Sequence, residues 1–124
     1  MGHSILIIEE DKKITDFLQR GLAGEGYSID VANSWALGHF LASSNNYDLI
    51  IMSVMVPKTE GLMLCMKLLE EKIAAPMLVL LVAKNAVLKK IMSIPSQIHN
   101  GNAKSFGFDD MLARIGGEMK KAMN

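Results

Sequence analysis

The chain is poor in several residue types and patterns, and each absence narrows what it can be. It has one cysteine, Cys65, which excludes an internal disulfide framework, and the apolar helical pattern around it predicts a buried side chain. The longest apolar run, residues 74–83, is too short to span a bilayer. No basic start followed by a long apolar stretch opens the sequence. We therefore expect a soluble, cytoplasmic protein.

Net charge is also lacking. Thirteen Lys and Arg residues balance thirteen Asp and Glu residues, so the formal net charge is zero. Such a chain has no strong field with which to gather nucleic acid or an anionic membrane, and we expect neither as a direct partner. With 124 residues and 50% hydrophobic content, residues 1–124 fit a single domain with its own core.

Strands and helices alternate along the first two thirds of the chain, because short β-rich apolar runs are followed by apolar residues at helical spacing. Strands are predicted at residues 4–8, 27–31, 48–53 and 77–82. The expected inward faces of the three intervening helices are Ile14, Phe17, Leu18 and Leu22, then Leu37, Phe40 and Leu41, then Leu62, Cys65 and Leu69. The alternation predicts an α/β fold with a parallel sheet and helices on both faces.

The last third is less regular. Residues 84–94 have a helical pattern that Pro95 ends, and residues 108–119 have the pattern of a final amphipathic helix. A fifth strand is expected between them, at residues 97–106, but this segment is polar for a buried strand. We therefore predict about five helices and a fifth strand that is irregular or weak.

Ser53 occupies a position where open parallel sheets build their sites. It ends a near-continuous apolar strand, and such sheets bind ligands outside the carboxyl ends of their strands. An aspartate there would indicate a phosphoryl acceptor, whereas a serine needs a positioned base. The basic residues expected near this edge are His3, His99 and Lys104. Alternatively, the Ser53 hydroxyl is a small polar filler that bonds a neighbouring backbone group.

Several short motifs, taken in order, resemble a known family. They are residues 5–11 (ILIIEED), 24–27 (GEGY), 47–51 (YDLII), 54–57 (VMVP) with Gly61, and Lys104 with residues 106–115. Together they resemble the receiver domain of two-component response regulators over nearly the whole chain. The resemblance implies a flavodoxin-like, five-stranded parallel sheet in the order 2-1-3-4-5. It also implies a signalling module that is not an enzyme. No winged-helix DNA-binding domain is expected within these residues.

The resemblance also implies residue roles at the carboxyl edge of the sheet. The acidic pair Glu9 and Glu10, with the backbone carbonyl of Met55, would hold a magnesium ion. Ser53 stands where the family has its phosphoryl-accepting aspartate, and Lys104 stands where a lysine pairs with the phosphoryl group. Oxygen ligands suit Mg²⁺, and metal and lysine together offset the charge of a transferred phosphoryl group.

Three further positions depart from the family. The hydroxyl that ends strand four falls on Val82, or on Leu81 if one residue is counted differently. The aromatic residue before the lysine is Gly101, and the proline after it is Ser105. The residues of the family's switch are thus lost together with the acceptor. Because Ser53 also removes one anionic ligand, we expect weak Mg²⁺ binding at most and no required cofactor.

Two hypotheses remain open. The first is a phosphorylation-independent pseudo-receiver that binds a histidine kinase, an effector domain or a second receiver, including a homodimer through helices four and five. The second is a phosphoryl-accepting or small-ligand-binding domain that uses Mg²⁺ at the carboxyl edge. Met63, Met66 and Met92 could line an adaptable partner surface. Glu9 and Glu10 could instead simply open helix one.

Overall fold

The computed structural model describes residues 4–23, 26–55, 59–82 and 88–94. The elements are β1 (Ser4–Ile8), α1 (Lys12–Ala23), β2 (Ser28–Ala32), α2 (Trp35–Ser44), β3 (Leu49–Met55), α3 (Glu60–Glu70), β4 (Met77–Val82) and β5 (Leu88–Ile94). The first four predicted strands and the first three predicted helices are therefore confirmed. No helix in these ranges is long and apolar enough to cross a membrane.

All five strands belong to one sheet in the order β2-β1-β3-β4-β5. The first four run parallel, and the pairs are β1 with β2, β1 with β3, and β3 with β4. A helix connects each of these strands to the next along the chain, because parallel strands need a crossover connection of a dozen or more residues. The strand order 2-1-3-4-5 implied by the resemblance is confirmed, although the fifth strand is a different segment from the one expected and runs antiparallel.

β5 corrects the prediction for the last third of the chain. Residues 84–94 were expected to form a helix, but Leu88–Ile94 is a strand that pairs antiparallel with β4. Only residues 83–87 separate the two strands, which suffices for a hairpin, whereas a parallel crossover needs a dozen or more residues. The spacing of the apolar residues in LKKIMSI fits either structure, and pairing with the open edge of β4 satisfies the backbone groups of this segment.

The fifth place in the sheet is thus taken by residues 88–94. The register of β5 on β4 shifts between Leu81 and Val82. The segments predicted as a strand at 97–106 and as a helix at 108–119 lie outside the described residues.

The core lies on both faces of the sheet, because β1, β3 and β4 are apolar at almost every position and are covered on both sides. On the face of α1 the buried cluster consists of Ile5, Ile7, Leu18, Leu22, Leu49, Ile51, Leu78 and Leu80. On the face of α2 and α3 it includes Leu6, Ile8, Ile50, Met52, Val54, Leu64, Cys65 and Leu68. The two clusters show which face of the sheet each buried apolar side chain of β1, β3 and β4 occupies.

The inward faces of α2 and α3 differ from the prediction. Leu37, Phe40 and Leu62 were expected inside, but all three are exposed. On α2 the sheet is met instead by small residues such as Gly38, where an added Cβ would lie 2.7 Å from Ile8 Cγ2. The prediction placed the large apolar residues inside, whereas the close approach of this helix to β1 leaves room only for small side chains.

Candidate functional site

Strand register brings Glu9 and Ser53 side by side at the carboxyl edge of the sheet. Ile8 of β1 pairs with Met52 of β3. Glu9 directly follows Ile8, and Ser53 directly follows Met52. Side chains alternate between the two faces along a strand, so the side chains of both residues lie on the face that α1 covers. Both are buried, each with 8% of its surface exposed. The structure therefore brings together these two sequence-predicted residues.

The carboxylate of Glu9 is hydrogen-bonded to the backbone of the turn that precedes α1. Its Oε2 accepts a hydrogen bond from the backbone N–H of Asp11 at 3.0 Å. Asp11 Oδ1 in turn accepts from the backbone N–H of Lys13 at 2.8 Å, which caps α1. The helix begins at Lys12, so the acidic pair precedes α1 and does not open it. Asp11 is a positioning residue that the sequence reasoning missed, although an aspartate just before a helix is a recognisable capping signal.

The other oxygen of Glu9 and the hydroxyl of Ser53 are both left without a partner. Within the described residues, Glu9 Oε1 and Ser53 Oγ are the buried side-chain oxygens that make no hydrogen bond. The backbone hydrogen bond expected for the Ser53 hydroxyl is therefore not made to any described residue. A buried polar group without a partner typically costs about 1–3 kcal/mol, so this pair of atoms marks a place suited to a polar ligand.

The remaining predicted site residues are less informative. Glu10 is exposed. Met55 is the last residue of β3, and it pairs with Val82, the last residue of β4. Val82 thus ends strand four, which is where the resemblance expects the switch hydroxyl. Lys104, like Gly101 and Ser105, lies outside the described residues.

The oxygens at this edge can be tested against a magnesium ion. Glu9 Oε1 and Ser53 Oγ are hard oxygen donors of the kind that Mg²⁺ prefers, and Glu10 is the adjacent residue. In the described part of the chain, no group of three or more His, Cys, Asp or Glu side chains is arranged to hold a metal. The donors fit Mg²⁺ in kind, but Ser53 contributes no charge, so they suit a weakly held cation.

Two further residues behave as the sequence predicts. Trp35, at the start of α2, is partly buried and its ring lies against Gly61 of α3, where an added Cβ would be 3.0 Å from the indole. Val54, which follows Ser53, lines the same spot, so the indole lies on the face of the sheet opposite to the Ser53 side chain. Cys65 is buried, and desolvation raises the pKa of its thiol, so it is not an activated nucleophile.

Relatives of known sequence agree with this arrangement. The sequence profile of the response regulator receiver domain matches residues 5–116. Transcriptional regulatory protein PcoR from Escherichia coli is 35% identical over 118 residues, which cover 95% of this chain and 52% of PcoR. Response regulator ArlR from Staphylococcus haemolyticus is 31% identical over 112 residues, which cover 90% of this chain and 50% of ArlR. The chain spans about half the length of these curated relatives.

Solved structures show the same fold. The Francisella response regulator 1452 receiver domain matches with a TM-score of 0.61 at 21% identity, over 98% of this chain and 99% of that one. A CheY-like receiver domain protein from Methanospirillum hungatei matches with a TM-score of 0.58 at 18% identity, over 98% and 96% of the two chains. The family profile covers residues 5–116, and the sheet order and the position of the acidic pair agree with it. The chain therefore belongs to the response regulator receiver domain family.

Proposed function

We propose that this receiver domain signals without accepting a phosphoryl group at Ser53 and that it acts through protein partners. The observation that carries the proposal is the Ser53 hydroxyl, which is buried and has no hydrogen-bond partner among the described residues. To attack a phosphorus atom, a serine must give its proton to a base as the new O–P bond forms. No described side chain, the neighbouring Glu9 carboxylate included, accepts a hydrogen bond from the Ser53 hydroxyl.

The difference from an aspartate is chemical as well as geometric. A carboxylate is ionised at neutral pH and attacks without losing a proton. Replacing it with a hydroxyl also removes one negative charge from the edge that would hold a divalent cation. Both effects disfavour phosphoryl transfer to this position, so the receiver fold serves as a binding module with no enzymatic step of its own.

The proposal predicts that the chain keeps its mass in the presence of a phosphodonor. After incubation with acetyl phosphate and MgCl₂, the intact mass should show no added phosphoryl group, because no described side chain is hydrogen-bonded to the Ser53 hydroxyl as an activating base. The Ser53→Ala variant is the matched control, since it removes only the hydroxyl. An adduct in the wild-type chain that disappears in Ser53→Ala would refute the proposal.

A second candidate is a small-ligand site that uses Mg²⁺, and the two unpartnered oxygens favour it. Glu9 Oε1 and Ser53 Oγ, with Glu10 and the Met55 carbonyl, would hold the ion weakly. When bound, Mg²⁺ would supply positive charge that attracts an anionic ligand. Saturable quenching of Trp35 fluorescence by MgCl₂, lost in Glu9→Gln, would support this candidate, and unchanged fluorescence with no heat of binding would exclude it.

The partners we propose are other signalling proteins. Among the structural relatives, response regulator protein TrrA is known in complex with histidine kinase ThkA. Among the sequence relatives, PcoR is a transcriptional regulatory protein about twice as long as this chain. We propose a histidine kinase, an effector domain or a second receiver as partner, and a cytoplasmic location. The homodimer expected through helices four and five is not supported at helix four, because residues 88–94 form the strand β5, and the residues predicted for helix five lie outside the described part of the chain.

A further inference from the structure

α2 and α3 carry an apolar outer surface that the fold does not bury. In the described part of the chain, all exposed large hydrophobic residues lie on these two helices. They are Leu37 (38% exposed), Phe40 (63%), Leu62 (44%), Met63 (64%) and Met66 (59%). We call these five residues the α2–α3 surface. Single exposed apolar residues need no explanation, but a group of them on neighbouring helices does.

The two helices lie next to each other on the same face of the sheet. The ring of Trp35 on α2 packs against Gly61 at the start of α3. His39 Nε2 on α2 lies 2.9 Å from an oxygen of Glu71, which follows α3. These contacts link the first half of α2 to both ends of α3, so residues on the outer sides of the two helices form one surface.

Helical geometry places the largest exposed side chains on that outer side. Phe40 is two residues from both Gly38 and Ala42, which are buried against the sheet, and two residues turn a helix by about 200°. Met63 and Met66 have the same spacing from the buried residues of α3. The three side chains therefore point away from the core, and the flexible methionines can adapt to an opposing surface.

The charge of this region indicates what could cover it. α2 contains no Asp, Glu, Lys or Arg between Trp35 and Ser44. The exposed charges on α3 have both signs, with Glu60 and Glu70 against Lys67. The whole chain has a formal net charge of zero. A strongly charged partner finds no complementary field here, whereas a second copy of the same neutral chain is not repelled.

We propose that the α2–α3 surface is an interface between two copies of this chain. A two-fold axis brings the surface of one copy onto the same surface of the other, so apolar side chains meet apolar side chains. Exposed apolar patches on single domains typically cover a few hundred Å², and a patch of that size is smaller than the roughly 800 Å² that each partner contributes to a standard interface. The dimer is therefore reversible, and it depends neither on Ser53 nor on Mg²⁺.

Sedimentation velocity over a range of protein concentrations tests this interface. The wild-type sedimentation coefficient should rise with concentration, with little dependence on salt because the contact is apolar. Phe40→Glu and Met66→Glu, made separately, should each weaken association at least tenfold. Asn46→Glu adds the same charge at an exposed position in the loop between α2 and β3, and it should associate like the wild type.

Each outcome decides the proposal. Loss of the dimer in both α2–α3 variants, with the control intact and circular dichroism unchanged, supports it. If one variant fails to fold, the other carries the test, since its side chain is exposed as well. A wild-type chain that stays monomeric at every concentration overturns the proposal. Dimers that persist in both folded variants also overturn it and assign self-association to another surface, such as β5.

Discussion

Replacing Ser53 with aspartate is expected to lower the free energy of unfolding by about 3 kcal/mol when no divalent cation is present. The position is buried, and strand register sets it beside the Glu9 carboxylate, whose Oε1 already lacks a partner. A second buried negative charge there meets repulsion and no compensating cation among the described residues. Urea denaturation of the wild type and the variant in EDTA measures the difference.

Mg²⁺ should reverse most of this loss. With two buried carboxylates at the edge, the ion gains the charge that Ser53 does not supply. A ligand that binds only the folded state at one hundred times its Kd stabilises it by about 2.7 kcal/mol. The midpoint of the Ser53→Asp variant should therefore rise strongly with MgCl₂, and that of the wild type should rise little.

Ser53→Asn is the matched control, because asparagine has nearly the shape of aspartate without its charge. It should lose less stability than Ser53→Asp in EDTA and should not respond to MgCl₂. If the asparagine variant is as unstable as the aspartate variant, the loss of stability comes from the larger side chain and not from its charge. In that case the unpartnered oxygens do not mark a vestigial cation site.

Truncation of Ile50 to alanine is expected to cost about 3–4 kcal/mol, because it leaves a cavity at the centre of the sheet. Ile50 lies in β3, pairs with Leu6 on one side and Met77 on the other, and is completely buried. Domains of this size have a total stability of about 5–15 kcal/mol, so the loss is a large share of it. The measurement is the shift in urea midpoint at unchanged denaturant slope.

Leu62→Ala provides the comparison on α3. Leucine and isoleucine have similar volume, but Leu62 is 44% exposed, so its truncation should cost less than about 1 kcal/mol. Equal losses at the two positions would mean that Leu62 is buried, as the helical pattern predicts and the structure denies. Such a result would also remove one residue from the α2–α3 surface.

The parallel strands could be predicted from the sequence because their signal is strong. β1 and β4 begin and end at the predicted residues, since runs of Ile, Leu and Val bounded by polar or turn residues fit little else than a buried strand. The strand order came from the resemblance and not from the runs themselves. The prediction for residues 88–94 failed because the spacing of the apolar residues in LKKIMSI fits a helix as well. The free edge of β4, with which this segment pairs, exists only in the tertiary structure.

The candidate site was predicted in part. The sequence identified Glu9 and Ser53, and strand register confirms that they are neighbours. It could not show that Asp11 orients the Glu9 carboxylate, because that contact depends on the turn before α1. Nor could it show that the Ser53 hydroxyl has no described partner, since hydrogen bonding to the backbone is the usual outcome for a buried serine.

We propose that the receiver scaffold is retained while its phosphoryl-acceptor chemistry and its switch residues are lost. The most direct measurement is phosphoryl incorporation from acetyl phosphate with MgCl₂, followed by intact mass in the wild type and Ser53→Asp side by side. We predict an added phosphoryl group on the introduced carboxylate and none on the wild type. Incorporation at Ser53 in the wild type, or none in a folded Ser53→Asp variant, would contradict the account.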